Sequence, residues 1–374
     1  MNARNTKLVA HIDTPGSGQG WVDGTTLYIG HMNAPHGTTV IDVADPRSPR
    51  VLATIDIPEG YHSHKVRVAN DTMLVNHERL GRDGGDDFGG GLGIYDVSDP
   101  SHPVLRNKWA TAGKGVHRFS FDGRYAYISP TVEGYSGNIV MILDLADPAK
   151  PLEVGRWWLP GQWTAGGEEP TIKDGRGPRC HHPLRRDDRL YVSYWQHGGA
   201  ILDISDMTHP RLVSRIDTSA TFPHPTHTLL TVPEPLKVRR VMVVADEDVD
   251  SRFPAAPAFL WIYDITNETA PVPISTFQVA GVDTDGAAQA PMTGCHQPSE
   301  RFNGSIVPCA WFAQGLRLLD ISDPFAPKEV GSYVPDPPAG QKRPSSNDVT
   351  LDDRGLLYLV DRQGGVDILE SNVL

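Results

Sequence analysis

Residues 143–151 read LDLADPAKP, and five further stretches of the chain repeat the same pattern. The other full copies are IDVADPRSP (41–49), YDVSDPSHP (95–103), LDISDMTHP (202–210), YDITNETAP (263–271) and LDISDPFAP (319–327). A truncated seventh copy, VDILE, places Asp367 near the C-terminus. The leading aspartates stand 47 to 61 residues apart. That period is typical of β-propeller blades, so the repeat predicts seven of them.

Each copy has a simple physical interpretation, for which residues 143–151 serve as the example. An apolar strand ends at Asp144, and Asp147 can cap the following turn with its side chain, as Asx residues do. Pro151 follows four residues later, where a proline suits the start of an edge strand because it has no N–H to donate. The next stretch, beginning at Leu152, is then the outermost strand of a blade.

The chain ends before the seventh copy has an outer strand. The N-terminal stretch KLVAHIDTPG (7–16) matches RVLATIDIPEG (50–60) almost residue for residue, so it can supply that strand. Such pairing closes the ring and leaves only short outer edges. We therefore predict an all-β fold, a single seven-bladed β-propeller domain over residues 1–374, with loop insertions at about 77–91 and 160–180.

These L/I-D-I/V-S-D-P-x-x-P repeats resemble those of the LVIVD-repeat β-propeller proteins, over nearly the whole chain. The resemblance implies the propeller fold. It leaves the activity open, since propellers carry many unrelated functions.

Composition excludes some functional classes. The net charge of −12 argues against nucleic acid as a partner, because nucleic-acid binding needs a basic surface. The three cysteines have no framework spacing, which favours a reducing compartment and no structural disulfide. The first residues contain no apolar run of signal-peptide length, and no stretch is long enough to cross a membrane. We expect a cytoplasmic protein without a membrane partner.

A second pattern places one histidine at the head of the inner strand in five consecutive blades. The candidates are His64, His117, either His181 or His182, His227 and His296. The seventh blade has Asn347 at that position, and the first has about Gly18. Because inner strands of a propeller line its axis, these imidazoles are expected to converge. Imidazole is the commonest neutral ligand of Fe, Mn, Zn and Cu. The pattern predicts one divalent metal ion, with Fe(II) favoured and Mn, Zn or Cu as alternatives.

A Gly-rich stretch that leads into the histidine pair of the fourth blade, GGEEPTIKDGRGPRCHHP (166–183), offers candidate catalytic groups. They are Glu168, Glu169 and Arg179. A carboxylate such as Glu169 could orient a ligand imidazole or act as a general base. Cys180 and Cys295 each precede a candidate histidine and therefore face the opposite side of the strand, so we interpret them as packing residues.

The favoured function is a metal-dependent enzyme that cleaves a small, in one version aromatic, substrate oxidatively, as a dioxygenase does. The set of histidines resembles the all-histidine iron sites of carotenoid- and stilbene-cleaving oxygenases, which are also seven-bladed propellers. Two alternatives stay open: a non-redox metal-dependent lyase, hydrolase or isomerase, and a non-catalytic binding or scaffold propeller. The expected partner is a small-molecule substrate, and a homo-oligomer is left open.

Overall fold

The computed structural model describes residues 2–81, 88–173, 175–218, 221–248, 258–280 and 294–374. Within these ranges the chain forms seven antiparallel sheets, and the only helical element is the 3₁₀ turn Thr164–Gly166. Strands follow one another in chain order across each sheet, except that the N-terminal strands Asn2–Arg4 and Thr6–Ile12 join the two sheets of the C-terminal part. This is the strand arrangement of a seven-bladed β-propeller, as the repeat predicts.

Each sheet is one blade, numbered here in chain order from its innermost strand outwards. Blade 1 comprises Ser17–Asp23, Thr26–His31, His36–Asp42 and Arg50–Asp56. Blade 2 comprises the split first strand Tyr61–His62 and Val66–Ala69, then Thr72–Arg79, Gly91–Asp96 and Val104–Ala110. Blade 3 comprises Val116–Phe121, Tyr125–Pro130, Val140–Asp144 and Leu152–Trp157. Blade 4 comprises His182–Arg186, Arg189–Ser193, Gly199–Asp203 and Arg211–Ile216.

The remaining blades follow the same order. Blade 5 comprises Thr226–Thr231, Val241–Asp246, Leu260–Asp264 and Val272–Phe277. Blade 6 comprises Gln297–Pro298, Ile306–Ala310, Leu316–Asp320 and Lys328–Val334, with Asn2–Arg4 added at its outer edge. Blade 7 comprises Ser346–Leu351, Leu357–Asp361, Gly365–Ser371 and Thr6–Ile12.

Two compact units are present within the chain. The first unit contains residues 18–197 and 201–212, and the second contains residues 1–17, 198–200 and 213–374. Blades 2 and 3 lie wholly in the first unit, and blades 5, 6 and 7 lie wholly in the second.

The repeat motif builds the corner between the third and fourth strands of a blade. In blade 3, Asp144 Oδ1 accepts a hydrogen bond from the N–H of Ala146 at 2.8 Å, and Asp147 Oδ1 accepts one from Ala149 at 3.0 Å. Both contacts recur in all six full copies, with Asn267 replacing the second aspartate in blade 5. Both aspartates therefore cap the turn, where the sequence predicts only the second to do so. Pro151 directly precedes the outer strand, as predicted.

The core lies between neighbouring blades, which explains the apolar runs before each leading aspartate. The third strand of blade 2 is buried at every residue except the terminal Asp96, whereas the outer strand Val104–Ala110 has no buried residue. Leu74 and Ile94 of blade 2 belong to one buried cluster with Phe119 and Leu143 of blade 3. A middle strand covered on both faces buries every side chain, so its sequence is continuously apolar rather than alternating.

The N-terminal strand completes blade 7. Thr6–Ile12 pairs antiparallel with Gly365–Ser371, from Thr6 opposite Ser371 to Ile12 opposite Val366. Gly365 adopts φ +84, and a Cβ there would lie 2.2 Å from the carbonyl oxygen of Ile12, so only glycine fits this close approach. The predicted closure is confirmed.

The two loop insertions predicted at about 77–91 and 160–180 each lie between two strands. The second strand of blade 2 continues through Arg79 and the third begins at Gly91; residues 82–87 lie outside the described ranges. In the 160–180 segment the backbone forms the 3₁₀ turn and a bridge between Lys173 and Arg176. Among the described residues no helix is long and apolar enough to cross a membrane.

Candidate metal centre

The predicted histidines do occupy equivalent positions in their blades. His117 and His227 are each the second residue of a first strand, and His181 and His296 directly precede one. His64 lies in the break of the split first strand of blade 2.

Blade 1 has no side chain at this position for a steric reason. A Cβ on Gly18 would lie 2.7 Å from both Cβ and the carbonyl oxygen of His64. The neighbouring N–H of Gln19 donates to that same carbonyl at 2.8 Å, which fixes the close approach. Glycine is therefore required where the sequence breaks the histidine pattern.

Four metal-ligating side chains meet in the first unit. His62, His64, Glu78 and His117 each offer a ligand atom within 4.8 Å of those of the other three. The four side chains come from the first two strands of blade 2 and the first strand of blade 3. Three are buried and His117 is partly exposed.

Glu78 organises this group. Its Oε2 accepts hydrogen bonds from His117 Nδ1 at 2.5 Å and from His62 Nε2 at 2.7 Å. The Nη2 atom of Arg179 lies 3.5 Å from the other oxygen, Oε1. A carboxylate that accepts the N–H of an imidazole fixes its ring and tautomer, which is how second-shell groups prepare a metal ligand.

His117 then presents its lone pair at Nε2, and this nitrogen lies 3.0 Å from Nε2 of His181. Two nitrogens bound to one first-row metal ion lie roughly 3.0–3.4 Å apart, given bonds of about 2.0–2.1 Å. The pair is therefore spaced as two ligands of one ion would be. The His181 ring also stacks on Trp195, with centroids 5.6 Å apart and an interplanar angle of 12°.

The sequence leaves His181 and His182 as alternatives, and the structure separates their environments. His182 is fully buried, and its Nε2 lies 3.1 Å from Nζ of the equally buried Lys65. An ammonium only donates, so this nitrogen of His182 accepts its hydrogen bond. Of the two, His181 is the one directed at His117.

The cluster combines a carboxylate and imidazoles with the nearby positive charge of Arg118. Burial lowers the pKa of His64 and of His181 well below the usual value, and lowers that of His117 to about 3. Burial alone would raise the pKa of Glu78, but the hydrogen bonds and charges of His117 and His62 hold it well below its usual range. At neutral pH His64, His117 and His181 are thus neutral, and Glu78 is a carboxylate.

A pocket of about 720 Å³ opens beside this cluster. His62, Glu78 and His117 form part of its wall. Arg79, Lys114 and Arg179 also line it. The volume is within the range of small-molecule sites, roughly 300–1,000 Å³. These three cations outnumber the two carboxylates of the lining, Glu78 and Glu133, which favours an anionic ligand.

Of the predicted catalytic residues, only Arg179 lines this pocket, with its guanidinium 4.9 Å from the centre of the Trp195 ring. The Glu168 carboxylate accepts hydrogen bonds from the N–H groups of Gly161 at 2.7 Å and Trp163 at 3.1 Å, so it holds its own loop together. Glu169 is exposed. The carboxylate that orients a candidate imidazole is Glu78.

His227 and His296 lie together in the second unit. Their ring centroids are 4.2 Å apart, and His296 Nε2 lies 3.3 Å from Glu247 Oε1. His296 Nδ1 lies 2.5 Å from the carbonyl oxygen of Asn347, the residue predicted at the equivalent position of blade 7.

The sequence analysis did not select His62, Glu78 or Glu247. His62 lies two residues before the predicted His64, and Glu78 falls at the start of the stretch predicted to be a loop. One signal was present: NHER (76–79) is a polar run that directly continues an apolar strand. Polar side chains at the end of a buried strand need partners, and here all but Arg79 are buried.

Comparison with known families identifies the repeat. The profile of the LVIVD repeat matches residues 86–111, 116–158, 188–218 and 309–334. The chain contains LVIVD repeats. A search of curated proteins found no matching relative.

Solved structures show the same fold at low sequence identity. The LVIVD-repeat chain is similar to the periplasmic gluconolactonase of Pseudomonas aeruginosa, with a TM-score of 0.63, 13% identity, and coverage of 88% of this chain and 86% of that one. It is also similar to the β-propeller domain of Myceliophteria thermophila Cps50 (Swd1), with a TM-score of 0.59, 12% identity, and coverage of 97% and 99%. For the WD40 repeats of RRP9 the TM-score is 0.62, with 8% identity and 99% coverage of both chains. At such identities the likeness extends to the fold alone.

The three cysteines are free and buried. Burial raises the pKa of the Cys180 and Cys295 thiols well above the usual value. Cys180 and Cys295, interpreted from the sequence as packing residues, are therefore buried thiols in the structure.

Proposed function

We propose that this LVIVD-repeat propeller is a metal-dependent oxidoreductase of the dioxygenase type that acts on a small anionic substrate. The observation that carries the proposal is the chain of contacts from Glu78 Oε2 to His117 Nδ1 and from His117 Nε2 to His181 Nε2. These contacts hold His117 in the tautomer whose Nε2 can bind a metal ion. They also place Nε2 of His181 at the distance expected for a second ligand of the same ion.

In this proposal His117 and His181 hold one divalent ion through Nε2, and His64 is the third imidazole of the set. The Nδ2 amide of Asn76 lies 3.3 Å from His64 Nδ1 and donates to it, so His64 joins the set by exchanging this hydrogen bond for the ion. Neutral imidazoles do not compensate the positive charge of such an ion, and the remaining charge favours binding of dioxygen and of an oxygen-rich anion. This donor set resembles the histidine iron sites of carotenoid- and stilbene-cleaving oxygenases, so Fe(II) is the proposed metal.

The pocket residues supply substrate binding. Arg179 and Arg79 line the wall that contains His117, where they can bind a carboxylate of the substrate by paired hydrogen bonds. Trp195 lies under the Arg179 guanidinium and limits where that cation can point.

The hydrogen bonds of Glu78 favour oxidative over non-redox chemistry. A lyase needs a base to remove a proton from the substrate. Glu78 is the carboxylate nearest to the proposed ligands, but two imidazole N–H groups already donate to its Oε2, which makes it a weak base.

Metal loading tests the proposal. The full-length protein is stripped with chelator, loaded anaerobically with Fe(II), and measured by plasma mass spectrometry beside His117→Ala, His181→Ala and the control His102→Ala. His102 also pairs with a carboxylate, Asp99, but on the exposed surface. We expect one equivalent of iron that both cluster variants lose and the control keeps. Glu78→Gln should weaken Fe(II) binding roughly 10–100-fold, as loss of an orienting partner does.

Reactivity is tested with the same samples. Nitric oxide, a probe for an open position on Fe(II), should give an iron–nitrosyl electron paramagnetic resonance signal in wild type and in His102→Ala only. Oxygen uptake is then followed over a panel of aromatic carboxylates. Turnover with Zn²⁺ under argon would refute the oxidative mechanism in favour of a non-redox enzyme. Iron retained by His117→Ala and His181→Ala would refute the site, and absence of any bound metal would leave a binding propeller.

A further inference from the structure

The pocket beside the metal-ligating cluster has an apolar and aromatic side that the proposed function does not use. Leu80, Val132 and Tyr135 line it together with the imidazoles of His62 and His117. Three of these five side chains are flat rings. Small-molecule sites are lined mainly by apolar and aromatic side chains, while a few placed polar groups fix the orientation of the ligand. This pocket therefore offers ring surfaces beside its cationic side chains.

The Tyr135 ring is held by other aromatic side chains. It packs edge-to-face on Trp158, with ring centroids 5.1 Å apart and an interplanar angle of 68°. Trp158 in turn lies against Trp163, with ring centroids 5.8 Å apart. The indole N–H of Trp158 donates to Glu168 Oε1 at 3.3 Å, so the predicted catalytic residue Glu168 supports this aromatic wall. A ring that is held in place before a ligand binds loses little further freedom on binding.

Arg156 supports Tyr135 from the outer strand of blade 3. Its guanidinium lies 5.6 Å from the centre of the Tyr135 ring. The Nε and Nη2 atoms of Arg156 donate to the two carboxylate oxygens of Glu153, both at 2.6 Å. Because that pair compensates its charge, Arg156 acts here as a support for the ring.

Gln162 ties the loop that carries Tyr135 to the loop that carries Arg179. It is fully buried. Its Nε2 donates to the carbonyl oxygen of Ser136 at 2.9 Å and to that of Pro178 at 3.2 Å. Ser136 directly follows Tyr135, and Pro178 directly precedes Arg179. One buried amide thus helps to set the spacing between the ring and the guanidinium.

The two loops also meet through their backbones. The N–H of Cys180 donates to the carbonyl oxygen of Asn138 at 2.9 Å. Gly137 has φ +67, and a Cβ there would lie 2.2 Å from the carbonyl oxygen of Pro178, so only glycine fits this close approach. These contacts fix how far the aromatic wall stands from the guanidinium.

Arg179 can bind a carboxylate beside the metal-ligating cluster. Its Nη2 lies 3.5 Å from Glu78 Oε1, and its guanidinium lies 4.9 Å from the centre of the Trp195 ring. A guanidinium has five N–H donors in a planar fork. The contact with Glu78 occupies at most one of them, which leaves donors for a carboxylate of the substrate.

We propose that the substrate of this site is an aromatic carboxylate whose ring packs on Tyr135 while its carboxylate binds Arg179. This inference rests on the proposed function, because it names the substrate class of the same site. Ring–ring contacts add to the burial of apolar area, so the site selects a planar aromatic ring over a saturated ring of similar size. Tyr135 is thus the residue that determines this specificity.

The binding test uses the full-length, chelator-treated protein, so that it depends neither on metal nor on turnover. Isothermal titration calorimetry compares phenylacetate with two probes that each lack one recognised group. Cyclohexylacetate has the same charge and a saturated ring of similar size, and phenylacetamide has the aromatic ring without the charge. We expect phenylacetate to bind most tightly of the three.

Variants test each contact separately. Tyr135→Leu should weaken phenylacetate binding roughly 2–10-fold, the loss expected for one aromatic pair, and should leave cyclohexylacetate binding unchanged. Tyr135→Phe keeps the ring and should bind phenylacetate as wild type does. Arg179→Gln should weaken the binding of both acids at least about tenfold. Tyr125→Leu is the matched control, because Tyr125 also lies against an arginine, Arg124, at 4.9 Å but is outside the pocket lining.

Absence of phenylacetate binding, or equal affinity of the wild type for phenylacetate and cyclohexylacetate, would overturn the inference. This comparison needs no variant, so it holds even where a substitution unfolds the chain. An unchanged phenylacetate affinity in Tyr135→Leu or in Arg179→Gln would refute the corresponding contact. The oxidative proposal fails separately, if the iron-loaded protein takes up no oxygen with phenylacetate although calorimetry shows binding. Equal oxygen uptake with phenylacetate and cyclohexylacetate would contradict the substrate class alone.

Discussion

Asp246 provides a quantitative test of how burial acts in this propeller. It ends the second strand of blade 5 and is 1% exposed. Its Oδ2 accepts from the Trp261 indole N–H at 2.5 Å, and its Oδ1 accepts from the Thr226 hydroxyl at 3.3 Å. Burial outweighs both hydrogen bonds and raises the pKa of Asp246 from 3.8 to about 8.

The sign and size of the pH effect follow from this shift. A raised pKa means that the folded protein keeps a proton that the unfolded chain releases, so stability is lost as pH rises from about 4 towards 8. Each pH unit inside that window costs about 1.4 kcal/mol. Between pH 5 and pH 7 this residue alone should lower the free energy of unfolding by about 2.5 kcal/mol.

The perturbation is Asp246→Asn, which keeps the shape and an oxygen acceptor for Trp261 but cannot ionise. Urea titrations at pH 5, 6 and 7 give the free energy of unfolding of wild type and variant. The variant should gain about 2.5 kcal/mol relative to wild type across this range.

Asp264→Asn is the matched control. Burial raises the pKa of Asp264, but its hydrogen bonds from Thr266 and Arg239 outweigh burial and lower that pKa. The ionised Asp264 therefore contributes stability above its unfolded pKa, and that contribution is lost only as pH falls below it. Between pH 5 and pH 7 the free energies of unfolding of Asp264→Asn and wild type should thus differ by a constant amount. Parallel pH curves for wild type and Asp246→Asn would refute the burial argument.

Three further outcomes are expected. Gly18→Ala should destabilise the protein by roughly 1–3 kcal/mol and weaken metal binding, because the added Cβ would lie 2.7 Å from His64 Cβ. The control is Gly177→Ala, whose added Cβ would have its nearest neighbour 3.4 Å away. Equal urea midpoints for the two variants would contradict the steric account. Deletion of residues 1–12 removes the outer strand of blade 7, so the Tm of the protein should fall. Size-exclusion chromatography should show association of the truncated chains through the exposed strand edge. An unchanged Tm and elution volume would show that this strand does not close the fold. All three cysteines are buried, so a thiol reagent should label none in the native protein and three in urea, and rapid native labelling would contradict their burial.

The repeat could be recognised from sequence because its residues act locally. A leading aspartate caps the N–H two residues ahead, and a proline such as Pro151 stands before the strand whose edge it suits. These effects need no distant partner, so six copies repeated along the chain predicted strand order, blade count and the closing N-terminal strand.

The histidine positions were likewise predictable, because equivalent positions in a repeat lie at equivalent places in the blades. Their partners were not. Glu78 is in the second strand of blade 2, yet its carboxylate meets His117 of blade 3. The contacts between side chains of neighbouring blades depend on the register of strand pairing and on side-chain direction. A sequence pattern of one histidine per blade indicates neither.

The sequence by itself therefore determined the β-propeller, its seven blades, its closure and the row of candidate imidazoles, since all of these arise from short-range preferences repeated at a regular period. The tertiary structure decided that His181 rather than His182 faces His117, that Glu78 rather than Glu169 orients an imidazole, and that Glu247 lies against His296. Those outcomes depend on contacts between side chains far apart in the sequence, where a shift of one residue turns a strand's side chains to the opposite face.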